Sequence, residues 1–145
     1  RARSVYTPGF VLNGSEWKRG EGMGTNAGDA GNLSVVWKAD QNVLITYEPP
    51  SGAKAANYQV TIALLGGSIV SDIRRGENAG RELRHEFVAL QTTNAKLQRN
   101  GANEHTATVK FPDQSIPETP RRALAVWIAR GRDLTPLQAT GGWLK

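Results

Sequence analysis

The sequence predicts an all-β protein: an antiparallel β-sandwich from about residue 33 onward, preceded by a short hairpin. Three observations predict it. Apolar and polar residues alternate with a period of two, most clearly where Tyr58, Val60, Ile62 and Leu64 share one side against Gln59 and Thr61. Short apolar runs are separated by turn chemistry, as at Asn13-Gly14, Pro49-Pro50-Ser51-Gly52 and Asn100-Gly101. Glycine is abundant, 16 of 145 residues, while hydrophobic residues make up 39%, a balance that suits strands joined by tight turns better than packed helices. Many short strands with regularly spaced turns fit a sandwich.

Taken in order, residues 1–20 read as a hairpin. Phe10-Val11-Leu12 precedes Asn13-Gly14, which supplies the positive φ angles of a type I′ turn, and Trp17 follows. Residues 21–32 are glycine-rich, contain nothing that nucleates a strand or helix, and read as a flexible linker. A phosphate-cradling loop is disfavoured there, because Gly22-Met23-Gly24 has no strand before it and no Lys-Ser/Thr after it. Residues 33–145 form the sandwich domain. Its first two strands, 33–38 and 43–48, flank Asp40-Gln41-Asn42, and Pro49-Pro50 stops the second because proline cannot donate to a ladder. Residues 57–75 predict a hairpin turning at Gly66-Gly67 and returning through Ile69 and Ile73.

Residues 83–97 admit two periods. Leu83, Phe87 and Leu90 have helical spacing, but Thr92-Thr93-Asn94 disfavours a helix, so one strand is predicted. Ala107, Val109 and Phe111 alternate in a further strand, and Pro112, Pro117 and Pro120 mark a loop. The continuous apolar run from Ala123 to Ala129 is short enough for a buried central strand, and residues 134–144 close the chain.

Charge and composition exclude several classes of function. The 18 basic and 13 acidic residues leave +5, a sum that favours solubility and a mild electrostatic bias. No Lys/Arg block forms a tail and no aromatic residues interleave with basic ones, so nucleic acid is not an expected partner. The chain has no cysteine, which removes disulfides, thiolate nucleophiles and thiol metal sites together. No apolar run approaches the ~20 residues of a membrane helix, and no signal peptide opens the chain. It begins at Arg1 and its only methionine is Met23, as expected of a processed product or an expressed fragment.

The stretch richest in chemistry runs from Asp72 to His85. Within it Arg74, Arg75, Gly76, Glu77, Asn78, Gly80 and Arg81 form a candidate ligand or interface loop: glycines permit close backbone approach and arginines surround Glu77 and Asn78 with positive charge. Loop chemistry alone also accounts for these residue types, with Gly for unusual φ, Glu77 paired to an arginine and Asn78 bonding its own backbone. His85 and His105, the two histidines, lack neighbours at ligand spacing, so no metal and no cofactor is expected. A triad of Ser71, His85 and Asp72 fails because adjacent strand residues point to opposite faces. Trp17, Trp37, Trp127 and Trp143 would suit a sugar platform, although core packing is the commoner use of tryptophan.

Two stretches carry a family resemblance. Arg75-Gly76-Glu77-Asn78-Ala79-Gly80-Arg81 followed by Leu83 resembles the signature of the bacterial secreted family catalogued as domain of unknown function 1223, and Val5-Tyr6-Thr7-Pro8 before Asn13-Gly14 resembles the end of a thioredoxin-like domain. Ala125-Val126-Trp127-Ile128-Ala129 and Ala139-Thr140-Gly141-Gly142 are similar to that family's C-terminal half. The resemblance implies an N-terminal thioredoxin-like domain with a Cys-x-x-Cys pair, a secreted or periplasmic location, and Thr7-Pro8 as the cis-proline that faces the thiols. This chain departs from the pattern: Gly9 stands where a polar residue is expected, and without cysteine it cannot itself exchange a disulfide.

The expectation is therefore a non-enzymatic, β-rich accessory domain of a thioredoxin-like protein, supporting the redox domain or its substrate binding. The alternative is a stand-alone carbohydrate- or peptide-binding sandwich. The expected partners are the thioredoxin-like domain or a second copy of the chain, because an isolated apolar hairpin is marginal in water and gains order by docking.

Overall fold

The protein is described by a computed structural model covering residues 10–12, 15–17, 28–38, 40–111, 116–133 and 135–144. Its strands in chain order are β1 (Phe10–Leu12), β2 (Ser15–Trp17), β3 (Asn32–Trp37), β4 (Asn42–Glu48), β5 (Tyr58–Gly67), β6 (Ile69–Asp72), β7 (Glu82–His85), β8 (Val88–Lys96), β9 (Gln98–Asn100), β10 (Glu104–Lys110), β11 (Arg121–Arg130) and β12 (Gln138–Trp143). Every pairing is antiparallel. No helix occurs among the described residues, so none is long and apolar enough to cross a membrane.

Two four-stranded sheets make the sandwich, one in the order β3-β4-β10-β9 and the other β12-β11-β5-β8. They approach each other at β12 beside β3 and at β10 beside β8. Alternation in each strand sends one set of side chains inward. Val43, Ile45 and Tyr47 of β4, with Val109 and Phe111, meet Val60, Ile62 and Leu64 of β5 and Leu124, Val126 and Ile128 of β11. Full burial of each such side chain contributes about 1.5–3 kcal/mol. Tyr47 and Tyr58 close one end edge to face, with ring centroids 5.1 Å apart. The Tyr47 hydroxyl donates to the carbonyl of Ala30 at 3.0 Å.

The β3–β4 turn forms at the expected place. Gln41 takes φ 63°, and the Asp40 carboxylate accepts from the backbone N–H and the side-chain amide of Asn42 at 3.2 and 2.6 Å. Those bonds, the side-chain one first, hold the Asp40 carboxyl below its ordinary value. The run from Ala123 to Ala129 is the heart of β11, paired on both sides by β5 and β12. β1 and β2 pair with Leu12 opposite Ser15, as the hairpin reading requires. Thr7, Pro8 and residues 21–27 of the glycine-rich segment at 21–32 lie outside the described residues, as do the side chains that would decide how the hairpin docks.

Two expectations are corrected. Residues 57–75 do not form a hairpin at Gly66-Gly67: β5 runs straight through both glycines, which are buried. A Cβ on Gly66 would stand 2.9 Å from both Ile69 Cδ1 and Thr119 Cγ2, and one on Gly67 would stand 2.6 Å from Glu86 Oε2, so these glycines serve close packing inside a strand. Residues 83–97 are not one strand either, because Glu86 and Phe87 separate β7 from β8.

The two corrections share one cause. Gly66 faces Val88 and Ile69 faces His85, the same alignment on both sides of the break. Residues 58–96 thus form one long two-stranded ribbon that bends at Gly67-Ser68 and Glu86-Phe87, with φ 55° at Ser68 and 56° at Phe87. Its first half lies within the sandwich. Its second half, β6–β7, pairs with no other strand among the described residues.

Candidate functional site

The charged loop sits at the tip of this ribbon. Arg74, Arg75, Gly76, Glu77, Asn78, Gly80 and Arg81 are all exposed. Gly76 and Gly80 take φ 86° and 83°, which L side chains adopt only with strain. Backbone bonds close the loop: Ile73 N donates to Arg81 O at 3.0 Å, Gly80 N to Ile73 O at 2.8 Å, and Ala79 N to Gly76 O at 3.0 Å. The Asn78 side-chain oxygen accepts from Arg81 Nη1 at 3.4 Å rather than bonding its own backbone. Glu77 forms no ion pair among the described residues, contrary to the turn reading. The loop is thus a demanding turn on an exposed arm, and its residues line none of the described cavities.

The other sequence candidates disperse. Ser71 faces Leu83, Asp72 faces Glu82 and His85 faces Ile69 across the β6–β7 ribbon. His85 and His105 lie on different sheets, and no group of three or more His, Asp or Glu side chains is placed to hold a metal among the described residues. Trp37 is half-buried against Phe111, with centroids 5.8 Å apart, and Trp127 is half-buried in β11. Trp143 is the exception, with 41% of its surface exposed.

Trp143 ends β12, an edge strand, and sits where the ribbon bends. Phe87, 58% exposed, stacks against it at 5.2 Å with a 32° tilt, and the Arg121 guanidinium lies 3.7 Å from its ring centroid. The bend that presents Phe87 is fixed by Glu86, whose carboxylate accepts from the backbone N–H and the hydroxyl of Ser68 at 3.0 and 3.2 Å. Three open cavities, of about 210, 420 and 350 Å³, share Trp143 in their walls. Sequence reasoning named Trp143 only as one tryptophan among several and missed Phe87 and Arg121. The left-handed backbone at Phe87 and the return of β12 beside β11 come from tertiary structure.

The geometry defines an antiparallel β-sandwich with an aromatic, cation-capped corner at the β12 edge of one sheet. The chain belongs to the family described as "Protein of unknown function (DUF1223)", whose model matches residues 1–129. That match takes in the charged loop, Phe87 and Arg121 and ends within β11, so Trp143 and the Ala139-Thr140-Gly141-Gly142 stretch lie beyond it. No curated protein and no solved structure matches the chain.

Proposed function

We propose that this chain is the non-enzymatic, β-rich accessory part of a secreted or periplasmic thioredoxin-like protein, and that it holds an extended polypeptide for the redox domain. The single observation that carries the binding role is the Phe87–Trp143 corner beside β12. Among the described residues β12 hydrogen-bonds on one side only, with β11, while β3 approaches it, and its Gly141 and Gly142 are exposed. A polypeptide added to that edge gains main-chain hydrogen bonds, and its side chains enter the cavities around Trp143. Aromatic anchors with an adjacent arginine are the residue types that dominate such contacts. The redox half of the reading draws on the resemblance of Val5-Tyr6-Thr7-Pro8 to the end of a thioredoxin-like domain, with the chemistry assigned to cysteines this chain does not contain.

A stand-alone carbohydrate- or peptide-binding module is the rival, and the exposed aromatic face of Phe87 favours its carbohydrate form. Titration of intrinsic fluorescence against an unfolded, carboxymethylated polypeptide and a panel of glycans separates polypeptide binding from carbohydrate binding. Saturable quenching by the polypeptide supports the polypeptide-holding role, which the accessory reading requires and a stand-alone peptide module would share. Saturable quenching by a glycan alone overturns it.

A further inference from the structure

The opposite end of β5 carries a second site, independent of the Trp143 corner. From Gly67 to Tyr58 is the full length of a ten-residue strand, about 30 Å at 3.3 Å per residue. There the sandwich opens between its sheets, and a cavity of about 430 Å³ is bounded by the 49–57 loop, Tyr58, Leu97 and the β9–β10 turn. Its wall contains Lys54, Arg99 and His105 and no aspartate or glutamate.

Arg99 and its neighbours in the wall are held in place. Arg99 and His105 are direct cross-strand partners, so their side chains lie on one face of the sheet. Arg99 Nη2 donates to the carbonyl of Ala102 at 2.6 Å, which fixes the guanidinium and leaves its remaining N–H groups to other acceptors. Asn103 Nδ2 donates to the carbonyl of Pro49 at 3.0 Å and ties the β9–β10 turn to the loop that carries Lys54. The His105 ring packs edge-on against Tyr58, with centroids 4.8 Å apart. Its Nδ1 is fully buried and has no hydrogen-bond partner among the described residues. Fully buried polar atoms without partners are rare in folded proteins and call for a specific explanation.

We propose that this cleft binds the oxyanion group, carboxylate or phosphate, of a small organic molecule. A guanidinium fork receives an oxyanion in two parallel hydrogen bonds, and a lysine ammonium adds a mobile point charge. The cavity exceeds the volume of a bare anion, so the rest of the molecule lies along Tyr58 and Leu97.

The test uses the two histidines as reporters, since His105 lines the cleft and His85 lies on the β6–β7 ribbon. Inorganic phosphate, and separately acetate, is titrated into the full chain at fixed pH and ionic strength while both imidazoles are followed by NMR. The expected result is a saturable shift at His105 with His85 unmoved, by either anion, and affinity at least tenfold weaker in Arg99→Gln. A response to phosphate alone assigns a phosphoryl ligand, and a response to acetate alone a carboxylate. Lys54→Gln, a change in an exposed loop, weakens binding severalfold and serves if Arg99→Gln does not fold. Linear, non-saturating shifts, equal movement of both histidines, or unaltered affinity in both variants overturns the proposal.

Discussion

Glu86 holds Ser68 by two hydrogen bonds, at 3.0 Å from the backbone N–H and 3.2 Å from the hydroxyl, where the long ribbon bends out of the sandwich. Both bonds lie at the surface, so water replaces part of what they contribute. Glu86→Ala is expected to cost about 1 kcal/mol and to lower the thermal midpoint by about 3 °C. A midpoint equal to the parent's, measured by circular dichroism, would remove Glu86 from the account of the bend.

Gly67 makes the same bend compact. Its absent Cβ leaves space for Glu86 Oε2 at 2.6 Å and for the Trp143 ring at 3.0 Å. Gly67→Ala forces both side chains to move and is expected to destabilise by about 1–3 kcal/mol. Tryptophan emission reports the displacement of Trp143, and an unchanged spectrum with unchanged stability would contradict this packing.

Ile62 and Thr61 are neighbours on opposite faces of β5. Ile62 is fully buried between the sheets and Thr61 is half-buried on the outer face. Ile62→Ala is expected to cost about 2–5 kcal/mol, whereas Thr61→Ala costs about 1 kcal/mol or less. Urea unfolding of the two variants checks which face is the core, and a reversed order would invert the sandwich.

Burial first, and then the neighbouring Tyr58, push the Tyr47 phenol above its ordinary value of 10.0. The folded protein holds that proton more tightly than the unfolded chain. The corresponding stabilisation is complete below about pH 10 and is lost as pH rises through the folded value. Stability measured from about pH 9 to 11 should therefore fall less steeply in Tyr47→Phe than in the parent. Parallel slopes would show that other groups govern the alkaline side.

Much of the fold was legible in the sequence because it rests on local signals. Alternation in β5, the Asp40-Gln41-Asn42 turn, the Asn100-Gly101 turn and the apolar run of β11 each act over a few residues. The ribbon was not legible, because Gly66 and Gly67 carry the signature of a turn while their use is to let Ile69, Thr119, Glu86 and Trp143 approach. Nothing local marks Ser68 and Phe87 for left-handed backbone either. The charged loop drew notice through its composition, yet composition cannot tell a solvated tip from a pocket wall. Phe87 with Trp143, and Arg99 with His105, meet only after strands distant in sequence or separated by a turn have paired.

The most direct test of the proposed binding corner is Phe87→Gly. Phe87 is 58% exposed and has φ 56°, a conformation that costs an L residue about 1–2 kcal/mol and glycine almost nothing. The variant removes the aromatic surface while relieving backbone strain. Fluorescence titration with an unfolded, carboxymethylated polypeptide is expected to show at least tenfold weaker binding, with a thermal midpoint equal to or above the parent's. Unchanged affinity in a stably folded Phe87→Gly protein would contradict the central claim that this corner is where the domain holds its partner.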